Sequence, residues 1–176
     1  MSYKQKYIIP KGKHSSTPRR KRIWWNKDKF IFYITINKGW YPQGSIEHEG
    51  VSKLCGIAMI THAEQPLNKI PIIRNLVNSC IIGYECDYSK PDNFILYCIN
   101  DNRGVETRPA ISSVKLGETI KVVMRRTKTG VQLSIRNIVF NFPMNTINCG
   151  YYMNPYHGGK SPAPVEQEVN IICKSI

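Results

Sequence analysis

Four histidines and a few carboxylates are the residues of this chain best suited to moving protons or holding a metal. His14, His48, His62 and His157 lie far apart and form no His-x-x-x-His pair, so the spacing offers no metal site. Each reads as a loop or surface residue. Glu47-His48-Glu49 would put two carboxylates on one face of a strand, about 7 Å apart, but it lacks a third partner and reads as solvated charge at a strand edge. No serine elbow, phosphate-cradling glycine loop or dinucleotide fingerprint occurs. Cys55, Cys80, Cys86, Cys98, Cys149 and Cys173 include no Cys-x-x-Cys pair and read as reduced, mostly buried small hydrophobes. The expectation is a chain with no metal and no cofactor.

Charge is the second feature that bears on function. Lys4, Lys6, Lys11, Lys13, Arg19, Arg20, Lys21 and Arg22 occur within residues 1–22 with no acid among them, leaving only +5 of the formal +13 for the rest of the chain. Pro10, Gly12, Ser15, Ser16 and Pro18 oppose a continuous helix, and like charges oppose self-packing. Residues 1–29 are therefore expected to be an extended basic arm that docks on an acidic protein surface or on nucleic acid. Trp24 and Trp25 at its base read as the anchor that packs it onto the body. No run of 18 or more apolar residues is present, so a membrane partner is not expected, and the expected place of synthesis is the host cytosol.

The elements that must position any site are strands. Phe30-Ile31-Phe32-Tyr33-Ile34-Thr35-Ile36 is β-branched and aromatic and ends at Asn37-Lys38-Gly39, a turn sequence. Apolar runs recur at 54–60, 80–84, 94–99, 120–124, 131–135, 138–142 and 169–173. Turn sequences lie at Asp101-Asn102-Arg103-Gly104, Thr127-Lys128-Thr129-Gly130 and Gly158-Gly159. The spacing predicts a hairpin of residues 119–126 with 131–137, and the one helical candidate, 72–77, would be short. The fold class expected is all-β, a two-sheet antiparallel sandwich over residues 30–176.

One ordered pattern runs through that body. It comprises Val51-Ser52-Lys53-Leu54-Cys55-Gly56, Asn78-Ser79-Cys80-Ile81-Ile82-Gly83-Tyr84, Phe94-Ile95-Leu96-Tyr97-Cys98 and Lys115-Leu116-Gly117-Glu118-Thr119. It closes with Pro155-Tyr156-His157-Gly158-Gly159-Lys160-Ser161-Pro162-Ala163-Pro164. The sequence resembles the concanavalin A-like lectin/glucanase jelly roll, and within it the small lectin-like proteins of gut Bacteroidota and their tailed, crAss-like phages.

Fold alone does not fix function, because this superfamily contains glycosidases, lyases, lectins and structural modules. Its retaining glycosidases resemble one another in a Glu-x-Asp-x-x-Glu strand. Here the nearest match, Glu85-Cys86-Asp87-Tyr88-Ser89-Lys90, has Lys90 where the second glutamate would stand, which removes the general acid. Its lyases resemble one another in Gln-Ile-His and Tyr-x-Lys-x-Gly-x-Tyr motifs. Both are absent, and Tyr151-Tyr152 before Pro155-Tyr156-His157 is the nearest approach. The resemblance therefore implies a chain that does not catalyse. The expected function is that of a multi-copy structural component of a tailed-phage particle, located in the virion and docking on other virion proteins and on copies of itself. The alternative is a carbohydrate-binding lectin-like module whose sugar platform would be drawn from Trp40, Tyr41, Tyr84, Tyr97, Tyr152 and Tyr156.

Overall fold

Alternation of apolar and polar residues builds this protein strand by strand. In the computed structural model, which describes residues 2–20, 22–39, 51–59, 78–87, 89–90, 92–103, 105–159 and 161–176, the first strands are β1 (Ser2–Ile9), β2 (Ile23–Trp25), β3 (Lys29–Lys38) and β4 (Ser52–Met59). They are followed by β5 (Asn78–Cys86), β6 (Asn93–Asn102), β7 (Val105–Thr107), β8 (Ala110–Lys115) and β9 (Thr119–Arg126). The chain ends with β10 (Gly130–Ile135), β11 (Ile138–Pro143), β12 (Cys149–Met153) and β13 (Gln167–Ser175). A six-stranded antiparallel sheet has the order β1-β13-β3-β9-β10-β11. A seven-stranded antiparallel sheet has the order β2-β12-β4-β5-β6-β7, with β8 also pairing β6. The expected sandwich and the expected hairpin of β9 with β10 are both present.

The inner faces of the two sheets make one core. Phe30, Phe32, Ile34 and Ile36 alternate inward along β3, opposite Ile120, Val122 and Met124 of β9. From the other sheet come Leu54, Ile57, Cys80, Ile82, Tyr84, Phe94 and Leu96. Cys149 is half-buried and the other five cysteines are buried, all with free thiols. Gly150 and Gly56 are among the glycines where a side chain would have no room. A Cβ on Gly150 would stand 2.4 Å from the Trp24 ring, and one on Gly56 would stand 2.3 Å from the Cys80 carbonyl oxygen.

The expected basic arm is woven into this sandwich. β1 pairs along its whole length with β13, from Ser2 opposite Lys174 to Ile9 opposite Gln167, and Tyr7 and Ile9 are buried. β2 pairs with β12 at the rim of the other sheet. The described part of residues 1–29 thus contributes an edge strand to each sheet, and the sandwich begins at Ser2 rather than at Phe30. The segment's Tyr3, Tyr7 and Ile9 alternate with Lys4 and Lys6, so charges that suggested a free tail are the solvent side of an amphipathic strand.

The paired-tryptophan anchor is corrected by half. Trp24 is buried against Phe30, ring centroids 5.1 Å apart, whereas Trp25 is 67% exposed. Lys21, Trp40, Tyr41, the Glu47-His48-Glu49 segment, His62 and the helical candidate at 72–77 lie outside the described residues.

Candidate functional site

The outer face of the seven-stranded sheet is read from its register. Lys53 lies opposite Gly83, Gly83 opposite Tyr97, and Ile81 opposite Ile99, all alternating with residues that enter the core. Gly83 has no side chain, and Val51 lies over it: a Cβ there would meet Val51 Cγ1 at 2.4 Å. Val51, Ile81 and Ile99 form a small apolar cluster, with Tyr97 and Met153 packed against it.

Beside this cluster is a cleft of about 210 Å³. Val51 and Ile99 give it an apolar base, while Lys53, Glu106, Arg108 and Tyr156 supply its polar groups, and Gly158 and Gly159 complete the lining. Arg108 donates through Nε to the Glu106 carboxylate. Lys53 makes no ion pair among the described residues.

Tyr156 is fixed from two sides. Its backbone exchanges hydrogen bonds with Lys53, N to O at 2.9 Å in one direction and 2.8 Å in the other. On its other side it bridges to Ser15. The neighbouring backbone continues that contact: His157 N donates to His14 O at 2.7 Å, and Ala163 N to Lys13 O at 3.0 Å. The His14 ring stacks on the Tyr156 ring with centroids 5.5 Å apart and 17° between planes. Residues 12–17 thus form a strap across the loop that carries Tyr156, a role the charge pattern did not signal.

Beneath the loop lies a buried polar network. His157 is fully buried, contrary to the expectation of a surface residue. Gln167 Nε2 donates to His157 Nδ1 at 2.8 Å, and Ser52 Oγ lies 3.3 Å from the same nitrogen. Tyr84 donates its hydroxyl proton to Gln167 Oε1 at 3.1 Å, and Gly158 N donates to Ser52 Oγ at 3.3 Å. These groups join β4, β5, β13 and the Tyr156 loop, and satisfied buried networks of this kind hold one geometry.

The expected sugar platform is therefore divided. Tyr84 and Tyr152 face the core, the latter hydrogen-bonded to Ser175 at 2.8 Å, and are not platforms. Tyr97 and Tyr156 lie on the outer face, with Tyr156 38% exposed. Glu85 is half-buried on that face opposite Ile95. Asp87 is held below the usual carboxylate range by hydrogen bonds from the Ser89 hydroxyl and backbone N–H.

The basic residues of the first segment are not gathered at one docking site. Lys4 and Lys6 lie on the outer side of β1, Lys11 and Lys13 are in the following turn, and Arg19 and Arg20 precede β2, all exposed. Arg22 folds back over the Tyr3 ring at 4.1 Å and donates to the Tyr7 hydroxyl at 2.7 Å. Sequence reasoning passed over Lys53, Glu106 and Arg108 as site residues. Lys53 was legible only as an outward residue on an apolar strand, and Glu106 and Arg108 lie on and just past a three-residue strand too short for periodicity. Among the described residues, no group of three or more His, Cys, Asp or Glu could hold a metal ion, and no helix is long and apolar enough to cross a membrane.

No family model and no curated protein matches the chain. Solved structures do. A polysaccharide lyase of family 18 superposes with a TM-score of 0.55 at 11% identity, over 98% of this chain and 88% of that one. An alginate lyase from Alteromonas sp. 272 gives 0.54 at 9% identity, over 98% and 88%. A glycosidic hydrolase gives 0.52 at 10%, over 98% and 77%. The fold is the jelly-roll sandwich of polysaccharide lyases and glycoside hydrolases. This corrects the expectation of a chain that does not catalyse: these three solved structures of the same fold are of enzymes.

Proposed function

We propose that this protein acts on an acidic polysaccharide held in the cleft on the outer face of the seven-stranded sheet. The observation that carries the reading is Tyr156, fixed between Lys53 and Ser15 and lining the cleft with Lys53 and Arg108. It belongs to the segment closest to a lyase motif in the sequence, and the solved structures of similar fold include a polysaccharide lyase and an alginate lyase.

The chemistry suited to these groups is β-elimination from a uronate. A cation beside the carboxylate acidifies the C5 proton, Tyr156 as its phenolate takes that proton, the C5–H electron pair forms the C4=C5 double bond as the C4–O4 bond breaks, and the phenol so formed returns the proton to the leaving O4. Lys53 or Arg108 would serve the carboxylate. Arg108 must then exchange its Glu106 partner for substrate, whereas Lys53 has no described counter-ion to give up.

Incubation of the full chain with a panel of polyuronates, followed by ultraviolet absorbance of the unsaturated product, tests this. Tyr156→Phe is expected to lower turnover by at least about 100-fold while binding persists. Failure of every polyuronate to bind would sink the reading.

A second reading is an assembly role in a tailed phage of gut bacteria, with copies of this chain or other virion proteins as partners. Edge strand β2 supports it, carrying Ile23 and Trp25 at 62% and 67% exposure. Light scattering of wild type and Trp25→Asp tests it: an oligomer that the substitution dissolves is expected, and a wild-type monomer at all concentrations excludes self-assembly.

A further inference from the structure

The outer face of the six-stranded sheet carries charge that folding does not require. Register places Lys4, Lys174, Lys29, Lys121 and Arg125 there, on β1, β13, β3 and β9, because the residues alternating with them, such as Phe30, Phe32, Val122, Met124 and Cys173, are buried in the core. None of the five has a carboxylate partner among the described residues. Lys6, at the end of this face where Glu168 lies, is paired with it at 2.6 Å.

Lys29 lies directly opposite Arg125 across β3 and β9. Like charges so placed destabilise a sheet, and exchanging either for threonine would relieve the repulsion. Within this cationic frame the centre of the sheet is apolar. Ile31, Tyr33, Val123 and Ile172 are half-buried at its centre, and the Lys174 ammonium stands 5.9 Å from the Tyr33 ring centroid.

We propose that this face binds single-stranded nucleic acid, with phosphates on the five unpaired cations and bases stacked over Tyr33 and its apolar neighbours. The separation of charge from apolar surface favours this occupant. A polyuronate bears its charge on every ring, whereas a nucleic acid strand carries charge on a backbone and presents uncharged planar groups beside it. The surface lies on the sheet opposite the cleft and does not depend on the cleft's function.

Fluorescence anisotropy of the full chain with a labelled oligothymidylate tests the proposal. The logarithm of affinity should fall linearly with the logarithm of salt, and Lys121→Glu/Arg125→Glu should weaken binding by about tenfold or more and flatten that slope by roughly 0.7 per lost phosphate contact. Lys121→Gln/Arg125→Gln should act in the same direction, with circular dichroism confirming that both pairs fold. Tyr33→Ala should weaken binding with the slope unchanged, and Lys53→Ala in the cleft should have no effect. Three results would overturn the proposal: no binding at low salt, binding indifferent to both charge pairs, or a polyuronate that binds this face more tightly than the oligonucleotide and is lost with the same substitutions.

Discussion

Adjacent residues of identical type part company at Trp24 and Trp25. Trp24 packs edge-on to Phe30 and lies with its ring 5.5 Å from the Arg126 guanidinium carbon. Trp25 points to solvent. Trp24→Ala should therefore cost about 3–5 kcal/mol of unfolding free energy, and Trp25→Ala should stay within about 0.5 kcal/mol of wild type. Chemical denaturation of the two variants gives the comparison, and equal losses would refute the assignment of Trp24 alone as the anchor. Cysteine exposure makes a parallel case. With five thiols buried and Cys149 half-buried, a thiol reagent should label Cys149 first in the native protein and reach the others only on unfolding. Peptide mapping after brief labelling reads the order.

At the scale of elements, the consequential one is the first segment. β1 buries Tyr7 and Ile9 and covers the edge of β13, and the strap that follows holds the Tyr156 loop. Deleting residues 1–18 should leave an unpaired β13 edge and a chain that aggregates or melts far lower. A deletion that melted like wild type would show that the segment is dispensable. His14→Ala is a finer probe: it removes the ring stacked on Tyr156 while leaving the backbone hydrogen bonds of the strap, so it should change binding in the cleft more than it changes stability. Equal wild-type binding would relieve His14 of a positioning role.

For the molecule as a whole, burial sets a pH limit. Burial pushes the Cys173 and Cys86 thiols, ordinarily at 9.0, up to about 12, and Glu85 adds to the effect at Cys86. It does the same for the Tyr152 phenol, ordinarily at 10.0, against an opposing hydrogen bond with Ser175. Each is neutral when protonated, and the unfolded chain gives up these protons at lower pH than the folded one. Their stabilisation is therefore complete below about pH 9 and is lost as pH rises towards 12. Melting temperatures measured through that window should fall steadily, and a flat profile would contradict the burial of these groups. Among the described residues, cations lie on the outer faces of both sheets and in the connecting turns. The molecule therefore presents cations on opposite sides, at the cleft and across the six-stranded sheet.

The sequence by itself determined the sandwich. Alternation along 30–36, 120–124 and 131–135 sets which side chains enter the core, and a two-residue period leaves little freedom once one face must be dry. Composition also placed the cysteines, because small apolar side chains on strands go inside. Tertiary structure alone decided the site. Lys53 comes from β4, Glu106 and Arg108 from β7 and the residues just past it, and Tyr156 from the loop after β12, and no local spacing encodes the meeting of these three distant segments. It also decided the fate of the basic segment. Lys4 and Lys6 read as a solvated tail while no partner was in view, and the alternating Tyr3, Tyr7 and Ile9 acquire a meaning only when β13 offers an open edge and a core to bury them.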